Sequence, residues 1–381
     1  MARRLFISLL LAALLATALP SLAAAADPPL PDSMAAVGDS ITQAASSAGS
    51  LGADAPQNSW STGTSSTVNS HYLRLLAAGA TISGQNHNRS VSGAKMGDLV
   101  GQVQTVLPLA PDYLTVLMGG NDLCTDTVAE MTDPTVFRDQ FDAAMATLTA
   151  GSPNTRVYVV SIPDVWQLWN LFKGNWWARV VWASADICQS LLANPTSTQQ
   201  ADVDRREAVR QRNIAYNAAL ASVCSAYASC RFDGNAVFNT TFTSGDVSGD
   251  YFHPSVAGQA KLAAVSWAAG YTWAPAPPSP MWLSGFAGSG TASKGSWTAS
   301  ATATVSSAAG PVSGATVTVL WSTGTTVSCV TATSGSCSVS SGSLGKRTTS
   351  INASVTAISR TGYEYASASN TTASSITIAK P

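Results

Sequence analysis

The chain has 381 residues, of which only 11% are charged, and a net charge of −1. A chain this poor in charge has no basic field to recruit nucleic acid, so that class of partner is excluded. Mature length of about 355 residues suggests two domains, or one large domain with an appendage.

Residues 1–26 read as a secretory signal peptide. Arg3 and Arg4 make a basic start, "LFISLLLAALLATAL" is the apolar run, and "SLAAAA" offers small residues for cleavage before Asp27. The mature chain is therefore expected outside the cell. No later apolar run is long enough to cross a bilayer, so no stable membrane insertion is expected.

The next 247 residues alternate apolar runs with helical patterns. "SMAAVGDS" predicts a strand ending at Ser40, "DYLTVLMGGND" a buried strand over 112–118, and "TRVYVVSIPD" another over 155–162. Between and after them, "FRDQFDAAMATLTA" predicts an amphipathic helix over 137–150, with Phe137, Phe141, Met145 and Leu148 on one face. A long charged helix is expected over 201–227, and a last one after His253, with Pro254 in its first turn. Strands alternating with helices predict an α/β domain on a parallel sheet over 27–273.

"APAPPSP", 274–280, reads as a semi-rigid linker. Beyond it, "SWTASATATVSS", "GATVTVLW" and "SINASVTAIS" alternate with period two and no helical period appears. Residues 281–381 are expected to form a small all-β sandwich of immunoglobulin-like size. The charge balance shifts at the same boundary. Residues 281–381 carry five basic residues against Glu364 alone, whereas the mature part before them has a balance of −7.

Six cysteines in a secreted chain suggest three disulfides, and sequence order favours Cys124–Cys188, Cys224–Cys230 and Cys329–Cys337. No pair has C-x-x-C spacing and only three histidines exist, so no metal site is expected.

Reactive groups in open α/β sheets collect at the carboxyl ends of strands. Ser40 sits at one such end and Gly119-Gly120-Asn121-Asp122 at another. Ser92-Gly93 follows a short extended run, and "SGDYFHPS" precedes the last helix. These residue types answer the needs of acyl transfer. A serine hydroxyl needs a base, here His253; the base needs a carboxylate, here Asp250 rather than nearby Asp246. The oxyanion needs donors, and the N–H groups of Ser40 and Gly93 with the amide of Asn121 could supply three. Asp122 is expected to pin its loop. His71 and His87 lie outside any such motif and read as structural.

"GDSIT", "SVSGAKM", "GGNDLC" and "DYFHPS", in that order, resemble the four sequence blocks of the SGNH/GDSL hydrolase superfamily. The four letters fall on Ser40, Gly93, Asn121 and His253, over about 215 residues; Ile41 replaces the usual leucine of GDSL and keeps its apolar packing. The longer texts, with "ICQSLLANP", are similar to the secreted actinobacterial, phospholipase B-like branch. The resemblance implies a flavodoxin-like three-layer α/β/α fold and ester hydrolysis with no cofactor and no metal. It does not cover residues 281–381.

One segment lies outside those blocks. "VWQLWNLFKGNWWARVVW", 165–182, holds five of the chain's eleven tryptophans. It is read either as the packing of an insertion or as an apolar lip, lid or lipid-resting surface, with Trp166, Trp169, Trp176 and Trp177 as candidate substrate-binding residues. Trp297 and Trp321 of the C-terminal unit are expected in its core rather than on a sugar-stacking face. The expected function is a secreted, monomeric serine esterase or lipase acting on lipid or phospholipid-type acyl esters. The alternatives are an acetyl esterase of plant polysaccharide, with the C-terminal unit as anchor, and a non-catalytic binding protein.

Overall fold

A computed structural model describes residues 27–274 and 278–381. The expected signal peptide and the middle of the Pro-rich linker fall outside the described residues. The chain divides between Pro275 and Ala276 into two compact units.

The first unit is built in the order β1 (Met34–Gly38), α1 (His71–Ala77), β2 (Asn86–Asn88), α2 (Leu99–Val106), β3 (Tyr113–Leu117), α3 (Gly120–Leu123), α4 (Pro134–Gly151), β4 (Arg156–Val159), α5 (Trp166–Phe172), α6 (Trp176–Ser184), α7 (Gln189–Leu192), α8 (Gln200–Ser225), β5 (Cys230–Phe232) and α9 (Val256–Ala269). All five strands are parallel, in the order β2-β1-β3-β4-β5. All five residues of β1 and of β3 are buried, as expected of parallel strands covered on both faces.

Alternation along each strand sends neighbours to opposite sides. Ala35, Val37, Leu114, Val116, Val157 and Val159 enter one core, with Phe137, Phe141, Met145 and Leu148 of α4 and Val209 and Leu220 of α8. Met34, Tyr113, Leu117 and Tyr158 enter a second core, with Leu75 of α1 and Leu262 and Ala263 of α9. Two cores on one sheet make three layers, α/β/α. The strand order changes direction between β1 and β3, which opens a crevice at their carboxyl ends.

Pro254 does not enter α9. Ser255 is the N-cap, its Oγ accepting from Gly258 N at 3.2 Å, and Pro254 instead makes an isolated bridge with Val247. A serine cap outcompetes a first-turn proline here because its side chain satisfies an end N–H that proline could only omit. His71 is fully buried between Tyr113 Oη (3.0 Å) and Ser266 Oγ (2.8 Å). Burial pushes its imidazole down to about 3, so it is a neutral core residue. Among the described residues, no helix is long and apolar enough to cross a membrane.

The second unit contains β6 (Ser279–Ser293), β7 (Ser296–Ser307), β8 (Gly310–Pro311), β9 (Thr316–Trp321), β10 (Thr326–Val330), β11 (Ser336–Gly345), β12 (Ser350–Ser359), β13 (Tyr363–Tyr365) and β14 (Ser375–Ala379). Sheets β10-β9-β12-β14 and β11-β7-β6-β13 share one apolar core; the pairings are antiparallel except β13 with β6. Cys329–Cys337 ties β10 of one sheet to β11 of the other. Trp297 and Trp321 are both fully buried, so neither offers a face for stacking on sugar. Trp321→Ala should cost this unit about 3–5 kcal/mol, the usual effect of emptying a large aromatic site. Calorimetric unfolding would show that loss as an earlier transition of the β unit.

Candidate active site

Gly38 ends β1 with φ +151° because no side chain fits there. A Cβ would lie 2.3 Å from the Leu117 carbonyl oxygen and 2.8 Å from Thr42 Oγ1. Gln102 of α2 holds this glycine from the side, Oε1 accepting from Gly38 N and Nε2 donating to Gly38 O, each at 2.8 Å. The chain then turns tightly. Thr42 N and Gln43 N donate to Asp39 O at 3.1 Å, and Ile41 N donates to Asp39 Oδ1 at 2.9 Å. The turn presents Ser40 in the crevice between β1 and β3.

The Ser40 hydroxyl lies 2.9 Å from His253 Nε2, and His253 Nδ1 lies 2.7 Å from Asp250 Oδ2. The relay therefore joins residues 213 positions apart. Its acid end is built by a six-residue loop. Asp250 Oδ1 accepts from Phe252 N and His253 N at 3.0 Å each, Ser248 N donates to His253 O at 2.8 Å, and Tyr251 takes φ +55° to close the turn. Ser46 Oγ donates to Asp250 Oδ2 as well. Burial pushes the Asp250 carboxyl up, but the hydrogen bonds from His253 and Ser46 outweigh it and hold the group below its ordinary value. Asp246 is otherwise engaged, paired with Lys261 and capped by Thr243.

Two further loops border the turn that carries Ser40, one bonded to Gly38 and the other beside Asp39. Gly93 has φ +82° in the turn where Ala94 N donates to Val91 O, and Val91 N donates to Gly38 O at 3.1 Å. Asn121 is the second residue of α3, whose N-cap is Gly119; the φ of +124° there and the closeness of Ile162 admit no side chain. Asn121 Nδ2 spends one hydrogen on Ala94 O at 2.9 Å and keeps the other. The Ser40 and Gly93 N–H groups donate to no protein acceptor among the described residues. Asp122 pins these loops together, Oδ2 accepting from Met96 N at 2.9 Å and Oδ1 from Thr132 Oγ1 at 2.6 Å.

Residues outside the sequence motifs complete the frame. Gln259 of α9 donates to Ile41 O at 2.7 Å and accepts from Trp60 N at 2.9 Å, so the last helix grips the nucleophile turn. Asp39 is buried beneath it. Burial pushes its carboxyl up to about 6, against the Ile41 hydrogen bond and the nearby His253, which lower it. Nothing local marks Gln102 or Gln259, since α2 also carries Gln104 and Thr105 and α9 also carries Lys261 and Ser266.

Beside His253 lies an apolar cavity, lined by Ile162, Val165, Leu168, Leu171, Phe252 and Leu262 among others. Helix α5 contributes Gln167, Leu168 and Leu171 to it. None of the four candidate tryptophans lines the cavity wall, and helix phase is the reason. Positions 165, 168 and 171 share one face; Trp166 and Trp169 lie about one residue around. Those two stack on each other at 5.1 Å and pack under Arg210 and Arg206 of α8. Trp169 Nε1 donates to Pro195 O at 2.8 Å. Trp176 and Trp177 project outward.

The predicted cysteine pairs are the pairs found, Cys124–Cys188, Cys224–Cys230 and Cys329–Cys337. Cys124–Cys188 joins the end of α3 to the start of α7, and Cys124 itself lines the cavity.

The GDSL-like lipase/acylhydrolase family model matches residues 36–261, which span both ends of the relay. The chain belongs to this family. It is an ester hydrolase. None of the curated proteins matches it. Similar solved structures include a family 3 carbohydrate esterase of Clostridium thermocellum (16% identity over 63% of this chain and 94% of that one, TM-score 0.39). A phospholipase A1 of Streptomyces albidoflavus is 14% identical over 62% and 96%, with TM-score 0.35. A family two carbohydrate esterase of Clostridium thermocellum, in complex with cellohexaose, is 15% identical over 64% and 65%, with TM-score 0.36.

Proposed function

We propose that the enzyme is a secreted serine acyl hydrolase of the phospholipase B-like branch, acting on esters of long acyl chains. The observation that carries this reading is a Ser40–His253–Asp250 relay opening beside an apolar cavity. Ser40 Oγ attacks the ester carbonyl while His253 Nε2 takes its proton. The oxyanion is held by Ser40 N–H, Gly93 N–H and the unspent hydrogen of Asn121 Nδ2. The alcohol leaves with the proton from His253, and a water activated by the same ring releases the acid. Asp250 holds the ring with Nδ1 protonated throughout.

The acyl chain runs away from Ser40 between α5 and Leu262. A tail of methylenes gains burial there that an acetyl group cannot, at about 0.8 kcal/mol for each methylene buried. Three disulfides suit an exported protein, with residues 27–273 as hydrolase and 281–381 as an immunoglobulin-like spacer. A p-nitrophenyl ester series from acetate to palmitate, with acetylated xylan beside it, tests the substrate. Activity confined to acetate esters would leave the polysaccharide deacetylase standing instead. Leu168→Trp, which fills the cavity, should lower kcat/KM for decanoate about tenfold and leave acetate hydrolysis unchanged. An equal loss on both esters would count against the cavity as the acyl site.

A further inference from the structure

Helices α5 and α6 follow one another in the chain, and the catalytic loop touches both. Phe172, at the end of α5, stacks edge-on against Tyr251 at 5.3 Å between ring centres. Trp182, near the end of α6, donates from Nε1 to Tyr251 O at 3.0 Å. Tyr251 is the left-handed residue between Asp250 and His253. The start of α6 lies between those two anchors in sequence, and Asn175 caps it, accepting from Ala178 N at 3.1 Å. Trp176 and Trp177 sit there in mutual edge-on contact, 58% and 62% exposed. Val180 and Leu171 add exposed apolar surface to the same segment, and Leu171 also lines the cavity.

Charge singles out the same segment. The two helices, from Trp166 to Ser184, carry Lys173 and Arg179 and no acid; Asp164, paired with Arg210, and Asp186 flank them. Other exposed apolar side chains border the catalytic loops. Leu51, 64% exposed, reaches toward Gly249 beside Asp250, and Val91, 55% exposed, precedes Gly93 by two residues.

The geometry points to the α5–α6 segment as an anchor for an anionic lipid surface, seating Trp176 and Trp177 in the headgroup layer with the cavity mouth at Leu171 against the acyl chains. Indole rings favour that layer, and each basic side chain near an anionic surface adds attraction that salt screens. This inference rests on the acyl-chain reading of the cavity.

The test uses the full-length mature protein with vesicles of phosphatidylglycerol or of phosphatidylcholine, followed by co-sedimentation and tryptophan fluorescence. The wild type should partition onto phosphatidylglycerol with a blue shift, and less onto phosphatidylcholine. The double variant Trp176→Ala, Trp177→Ala should lose about tenfold or more of that partitioning while hydrolysing soluble p-nitrophenyl butyrate at the wild-type rate. Lys173→Gln should weaken binding only at low salt. A wild type that ignores phosphatidylglycerol vesicles, or a double variant that binds them as well as the wild type, overturns the anchor. Soluble-ester hydrolysis persisting without vesicle binding removes the anchor and leaves the esterase reading intact. Vesicle binding by an enzyme that cleaves only acetate esters leaves the tryptophans as a lipid contact but removes the acyl-chain reading, and with it the seating of the cavity mouth.

Discussion

Ser40→Ala should abolish ester hydrolysis while leaving the protein folded. In serine hydrolases that use such a relay, loss of the nucleophile costs about 10⁴–10⁶ in kcat, because binding and the oxyanion donors supply only the remainder. The hydroxyl removed has one side-chain partner, His253 Nε2, and no backbone group depends on it. The stability cost is therefore about 1 kcal/mol, that of a single hydrogen bond. The donors meant for the oxyanion are backbone and amide groups, and they stay in place because Asp39, Gln102 and Asp122 hold them. Kinetics on p-nitrophenyl butyrate with circular dichroism checks both halves, and a fluorophosphonate probe should label the wild type and not the variant. A folded Ser40→Ala protein that keeps even a tenth of the activity would remove Ser40 from the mechanism.

What could be read in the chain, and what could not, follows from the range over which each interaction is written. β1, β3 and β4 are mostly apolar runs closed by glycine or proline, so their ends were legible to within two or three residues. β5 was not anticipated, since its three residues are half-exposed or exposed and it exists as a strand only by pairing with β4. The four motif residues were legible because each rides on its own short turn. Their supports were not. Gln259 reaches Ile41 across 218 positions and Ser46 reaches Asp250 across 204, so nothing near either residue announces the contact. The tryptophan segment shows a third limit. Its aromatic density is plain in the sequence, but a shift of one residue around α5 decides whether Leu168 or Trp169 meets the cavity, and the partners on α8 settle that phase.

Asp250→Asn tests the other end of the relay, and its outcome follows from which oxygen does what. Oδ1 is committed to two backbone N–H groups, those of Phe252 and His253. An asparagine keeps its carbonyl oxygen there and turns its NH₂ toward His253. Nδ1 must then accept, the ring proton moves to Nε2, and the base can no longer take the proton of Ser40. The expected loss is about 10⁴ in kcat with little change in KM. Stability should carry a matching signature. The Asp250 carboxyl is held below its ordinary value in the folded protein, so it stabilises the fold above the unfolded-state value of 3.8, and that contribution disappears as pH falls through the folded value. The wild type should unfold at higher temperature than Asp250→Asn at pH 7, and the gap should close as the pH is lowered below about 4. Ser46→Ala removes one of the bonds that hold Asp250 down without altering the tautomer of His253. It should narrow the same stability gap while retaining most of the activity. A variant at Asp250 that hydrolyses esters at near the wild-type rate would mean that the backbone of this loop, not the carboxylate, orients the ring.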